Sequence, residues 1–403
     1  MLLNREKTDF AENHYYRLNQ ILLSAVGLWP YQRSKFTIIN HIFHFGIMGS
    51  FVFFQLTSFL TLQFTLDLCI MVLSYAVPGF SYIVQYCAFC VNRNAVKRIW
   101  KDIRDNWSLL KDETERDIMR QHSSFGELMT KLASLSVIIS MILYAITELL
   151  PTILDLIFPI NQTRPQELHA STEYFIDKTT YFYPIFCHWI ISLLFGVSVI
   201  MATGLLEIIY IENICGLLRI ASYRIEHSID KYVSHNSAQK DCVAHQGIIT
   251  AVDIHRRALE CSEFMVNSFV PYFVLLIIIV VASTSLNLLR LLRAITSRNM
   301  YELLASTLFV GFHFLIMFIA NYYGQKLTDY NNEIFNTAYN VKWYKAPIKM
   351  QKLLLFIMQS TTTPYVLNIG YLLSASVEGF SKVERGNIWY IWKNHRFLLT
   401  ESI

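Results

Sequence analysis

The chain has 403 residues, 54% of them hydrophobic and only 16% charged, with a mean hydropathy of +0.35. A net charge of +4, small and dispersed, argues against a nucleic-acid partner. No interval between apolar runs is long enough for a sizeable water-soluble domain, so one membrane domain with cytosolic extensions is the economical organisation.

Residues 1–35 read as a cytosolic N-terminal helix. Phe10, Leu18, Ile21, Leu22, Ala25 and Leu28 recur at mostly three- and four-residue spacing up to Gly27-Leu28-Trp29-Pro30. That spacing predicts an amphipathic helix stopped by proline, with Trp29 and Tyr31 as interfacial anchors. The first apolar run follows several charged residues and is too long for a signal sequence, so it reads as a retained insertion signal.

Seven stretches then lack any Asp, Glu, Lys or Arg: Phe36–Leu66, Leu68–Asn92, Leu132–Thr147, Thr179–Leu206, Phe264–Leu289, Leu303–Gln325 and Leu353–Val377. About 20 apolar residues in a helix cross a bilayer. The predicted fold is therefore all-α, a polytopic membrane protein with seven transmembrane helices. Pro78 and Pro271 fall inside spans and predict kinks. The mixed-charge stretches 91–131 and 213–263 read as helical extensions of the spans below the membrane.

Orientation follows from the basic residues. Loops on the N-terminal side hold 25 Lys and Arg against 5 on the opposite side, which places the N-terminus in the cytosol. The acceptor triplet Asn161-Gln162-Thr163 then lies in the long outer loop and makes Asn161 the candidate glycosylation site, whereas Asn106-Trp107-Ser108 falls inside. None of the seven cysteines lies in an outer loop, so no disulfide framework is expected. Cys87 and Cys90 read as buried thiols, and His41 and His44 as packing or pore-side polar groups. No catalytic arrangement, metal-ligand cluster or cofactor motif is present in the sequence, and the protein reads as a non-enzyme.

The C-terminal third carries Tyr322-Tyr323-Gly324, Ala338-Tyr339, Trp343-Tyr344, Gln351-Lys352, Pro364 and Ser376-Val377-Glu378-Gly379-Phe380. This string resembles the C-terminal signature of the insect odorant receptors, and Gly27-Leu28-Trp29-Pro30 resembles their N-terminal pattern. The resemblance implies an odorant-binding subunit of a ligand-gated non-selective cation channel. Such a subunit joins a shared co-receptor in a hetero-tetramer and sits in the plasma membrane of olfactory neuron dendrites. The short 213–263 interval fits a tuning subunit rather than the co-receptor. The implied layout is spans one to six over 36–325, a cytosolic anchor region over 326–364 and a pore-helix segment with an atypical tail over 365–403. Tyr339, Trp343, Tyr344, Gln351 and Lys352 would be anchor residues at subunit contacts. Beyond Val383 the tail Glu384-Arg385-Gly386 departs from the family's apolar pore run, because charge and glycine weaken a membrane helix.

The resemblance also implies a pocket among the outer halves of spans two to six, for a small volatile organic ligand. Met71, Val72 and Tyr75 are the candidates in the second span, and Ser140, Tyr144 and Glu148 in the third. His188, Trp189 and Ser192 are those of the fourth span, Thr307 and Leu308 those of the sixth. Ser140, Tyr144 and Glu148 are spaced by four and should share one helix face. Glu148 could meet a polar ligand group, pair with another helix, or sit at the outer interface. The competing classes are a gustatory-type chemoreceptor, a G-protein-coupled receptor, which needs an outside N-terminus, and a transporter, for which no paired half-sequences exist.

Overall fold

The computed structural model describes residues 14–381 apart from 33, 111, 159–167, 169–171, 235–239, 363–364, 366–367, 370–372, 375, 377 and 380. Asn161, Thr363, Pro364 and the tail from Lys382 lie outside the described residues.

The described chain is nearly all helix. It runs α1 (Arg17–Ala25), α2 (Ser34–Leu56), α3 (Leu66–Val91), α4 (Arg93–Leu109), α5 (Glu113–Ile157), α6 (Phe182–Ser234), α7 (Lys240–Ser297), α8 (Met300–Asn340) and α9 (Ile348–Thr361). Six of these, α2, α3 and α5 to α8, are long and apolar enough to cross a membrane. Four far exceed a bilayer's need, at 45, 53, 58 and 41 residues for α5 to α8. The surplus lies at the basic end, as the charge pattern predicts.

Apolar side chains face outward along these helices. On α5, Leu135, Ile138, Ile139, Ile142 and Ile146 repeat at three- and four-residue spacing and are all exposed. A water-soluble helix would turn that stripe inward; here it faces lipid. The protein is a polytopic helical membrane protein.

α1 ends differently from the proline stop expected of it. Gly27 takes a left-handed φ of 76°, Leu28 N–H donates to the Leu23 carbonyl at 2.8 Å, and Gly27 N–H donates to Ser24. This glycine cap closes the helix three residues before Pro30. Trp29, expected at the interface, lies edge-on to Trp100 of α4, with ring centroids 5.0 Å apart. Prolines do not end the long helices either: α3, α5 and α7 run through Pro78, Pro151 and Pro271.

The seventh apolar stretch begins as a short helix that ends at the polar run Gln359–Thr362. α9 covers 14 residues and stops at Thr361. Beyond it, Asn368–Ile369 pairs antiparallel with Leu373–Ser374, and helical backbone returns at residues 378, 379 and 381.

α6 is the hub. It packs against α5, α7 and α8 and also touches α1 to α4. Between Leu205 and Ile225 it is buried almost all round, with Leu206, Tyr210, Ile214, Cys215, Leu217, Leu218, Ile220 and Ala221 fully enclosed. The main core therefore lies at the basic end. A smaller cluster of Phe51, Val52, Tyr75, Tyr144, Trp189 and Leu193 lies near the opposite end.

Candidate functional site

The smaller cluster draws one or two side chains from each of several helices. α3 enters it with an N-cap, where Thr65 Oγ1 accepts from Leu68 N–H at 3.1 Å, and delivers Tyr75 two turns later. α5 supplies Tyr144, α6 supplies Trp189 and Leu193, and α8 supplies Phe309. Gly196 lets α6 approach α3, since a Cβ there would stand 2.2 Å from the Tyr82 ring.

The rings meet edge to face. Tyr75 and Trp189 have centroids 5.2 Å apart at 79°, and Tyr75 and Phe309 5.2 Å apart at 88°. Phe309 also faces Tyr144 at 6.1 Å, and Phe51 covers Trp189 at 4.8 Å. Trp189 Nε1–H donates to the Tyr144 hydroxyl at 3.1 Å. That bond satisfies the indole in an otherwise apolar setting and fixes both rings.

Polar groups border the rings on one side. The Arg290 guanidinium of α7 lies 4.4 Å from the Tyr75 ring centroid, and its Nε donates to Glu302 of α8 at 2.7 Å. Asn287, one turn before Arg290, donates to the Ser74 carbonyl at 3.0 Å and ties α7 to α3. Glu148 is buried as well, at 3% exposure, and acts electrostatically on Tyr75 and Tyr144.

Among the residues picked out from the sequence, Val72, Tyr75, Tyr144, Glu148, Trp189 and Ser192 are buried. Met71 and Leu308 are half-buried. Ser140 and Thr307 are exposed, and each hydroxyl returns to its own helix, at the Ser136 and Leu303 carbonyls. The inward spacing on α5 is Met141, Tyr144, Glu148, so Ser140 lies one position off the buried face. His188 turns toward α2, where it bonds Ser50 at 2.9 Å and the Tyr174 hydroxyl at 2.7 Å. Phe51, Leu193, Phe309, Arg290 and Glu302 were not visible in the sequence as site residues. The readable signal for the last two was a pair of opposite charges flanking the short turn between α7 and α8.

At the basic end Tyr339 and Tyr344 are both 62% exposed, and Trp343 is 37% exposed. Gln351 donates to the Ala346 carbonyl at 2.8 Å, and Lys352 is exposed. His41 bonds the Tyr86 hydroxyl at 2.7 Å, and His44 stacks on the same ring, so both act in packing.

The long apolar helices define a polytopic membrane fold. Residues 65–387 match the family model described as 7tm Odorant receptor. The chain belongs to the seven-transmembrane odorant receptor family. Two solved structures share its fold. The insect olfactory receptor OR5 from Machilis hrabei in complex with eugenol aligns with a TM-score of 0.77 at 14% identity, over 97% of this chain and 99% of that one. The structure of the same receptor described without eugenol gives 0.74 at 13% identity, over 95% and 98%. No curated protein matches the chain in sequence.

Proposed function

We propose that this chain is the odorant-tuning subunit of a ligand-gated, non-selective cation channel, assembled with a shared co-receptor as a hetero-tetramer in the plasma membrane. The observation that carries the reading is the enclosed set Tyr75, Tyr144, Trp189 and Phe309, drawn from four helices. An apolar, aromatic-walled site with a few polar groups at one edge suits a small volatile molecule. The likeness to a receptor solved with eugenol supports the same ligand class.

In this reading the basic end is cytosolic and the aromatic cluster lies toward the outside. The exposed Tyr339, Trp343 and Tyr344 belong to an anchor region over 326–364, where aromatic side chains suit a subunit contact. Residues 365–403 supply the pore segment and tail. Asn161 accepts a glycan on the outer loop.

Recording currents from cells expressing this chain with the co-receptor, against a panel of volatiles, tests the proposal. Ligand-evoked cation current that requires both chains is expected. A surface-expressed pair silent to every volatile, or an amino terminus labelled from outside intact cells, refutes it.

A further inference from the structure

One edge of the aromatic cluster holds more hydrogen-bonding capacity than the protein itself uses. Arg290 is 4% exposed. Its Nε is taken by Glu302, yet neither Nη1 nor Nη2 has a hydrogen-bond partner. The Tyr75 hydroxyl lies within reach of that guanidinium and can take one of its N–H groups, while Asn287 Oδ1, one turn earlier on α7, is unpartnered. A guanidinium carries five N–H donors in a rigid fork, and stacking on a tyrosine ring orients the fork without satisfying its outer nitrogens. These donors are buried beside the Tyr75, Trp189 and Phe309 rings.

We infer that Arg290 receives the carbonyl oxygen of a neutral ketone, ester or aldehyde whose hydrocarbon part lies against the Tyr75–Trp189–Phe309 wall. This rests on the odorant-binding role proposed above and names its ligand class. Charge decides between a neutral carbonyl and a carboxylate. Glu302 already balances the guanidinium, and Glu148 adds a second carboxylate within electrostatic reach of Tyr75. An anionic ligand would meet two like charges in a poorly screened setting. A neutral acceptor meets donors and no opposing charge. Alkanes fill the apolar wall but leave the fork unpaired, and sites built to hydrogen-bond reject analogues that lack the group.

The test compares methyl ketones, alkyl acetates and aldehydes with alkanes and carboxylates of matched carbon number, on the full chain co-expressed with the co-receptor. For the unaltered protein, half-maximal concentrations for the carbonyl compounds should lie about ten- to a hundredfold below those of the matched alkanes. Carboxylates should rank with or behind the alkanes. Arg290→Met strands Glu302 and should lower surface expression; in the protein that reaches the surface the carbonyl-to-alkane ratio should fall toward one. Arg290→Lys should restore part of the ratio, because it keeps the charge opposite Glu302 and loses the fork.

Equal potency of alkanes or carboxylates in the unaltered protein overturns the inference and needs no variant that must fold. So does an Arg290→Met protein at the surface with its ratio unchanged, which would make the arginine a helix-packing group. Silence toward every probe defeats the odorant reading itself, and the inference with it.

Discussion

The two ends of the helical bundle differ in the buried charge they pair. At the basic end several buried charges are enclosed in pairs, while Glu207 Oε1, the Trp100 indole N–H and the Tyr323 hydroxyl are left without a hydrogen bond. Arg224 of α6 grips Glu115 of α5 through Nε at 2.6 Å and Nη2 at 2.9 Å. Glu212 takes His122 at 2.9 Å on one side and Lys326 on the other. Asn106 donates to Asn213 at 2.6 Å and accepts from Arg257. At the aromatic end, Arg290 pairs with Glu302 through Nε alone, and Asn287 Oδ1 is unpartnered beside it. Bidentate and shared ion pairs such as those at the basic end specify one arrangement of helices.

That contrast can be broken by experiment. The largest effect should come from Arg224→Leu, which strands Glu115 in a site where its side chain is 8% exposed. Removing one partner of a buried, bidentate pair costs about 3–5 kcal/mol. The variant should be lost from the cell surface and unfold at lower temperature in detergent; an unchanged melting temperature would mean the pair is dispensable. Gly196→Leu comes next. Its Cβ would collide with the Tyr82 ring, and overpacking of this kind costs about 1–3 kcal/mol. Because Gly196 joins α3 to α6 near the aromatic cluster, ligand responses should fall further than surface expression does. Equal losses of both would count against that placement.

Tyr144→Phe sharpens the comparison from the other side. It removes the acceptor of Trp189 Nε1 and leaves that donor buried, at a cost of about 1–3 kcal/mol. Dose–response curves should shift at near-normal surface expression, and an unchanged curve removes Tyr144 from the ligand site. The smallest effect is expected from pH. His255, on the basic-end part of α7, donates to Asn331 of α8 at 3.0 Å, and burial holds its pKa below the usual histidine value. The unfolded chain, with an ordinary value of about 6.5, therefore binds more protons at mildly acidic pH. The contribution of His255 to stability is complete above about 6.5 and declines as pH falls from there toward the depressed folded value. His255→Gln should flatten the acid-side slope of melting temperature against pH; an identical slope would exclude this histidine as its source.

The sequence was legible wherever a physical contrast ran along the chain. Charge-free runs marked the spans, and lysines and arginines marked the end where α5 to α8 overrun the membrane. The large side chains Tyr75, Tyr144 and Trp189 stood out as site candidates and are buried together. Rotation about a helix axis was harder to read, because a membrane helix is apolar on every side and hydropathy carries no phase. Thus Thr307 and Leu308 stood out in the sequence, while Phe309 makes the ring contacts. Ser140 shares the four-residue spacing of Tyr144 and Glu148 yet lies on the lipid side. Arg290 and Glu302 escaped because each reads alone as an end-of-span charge; their pairing needs the turn between α7 and α8 to fold back.

α6 carries Trp189 near one end and Arg224 near the other within a single uninterrupted helix. At about 1.5 Å per residue, roughly 50 Å separates the two. The indole and the far ion pair are thereby joined by one continuous helical path. A signal in this protein would then pass along one shaft, and the shaft's bearings are the paired charges at its foot.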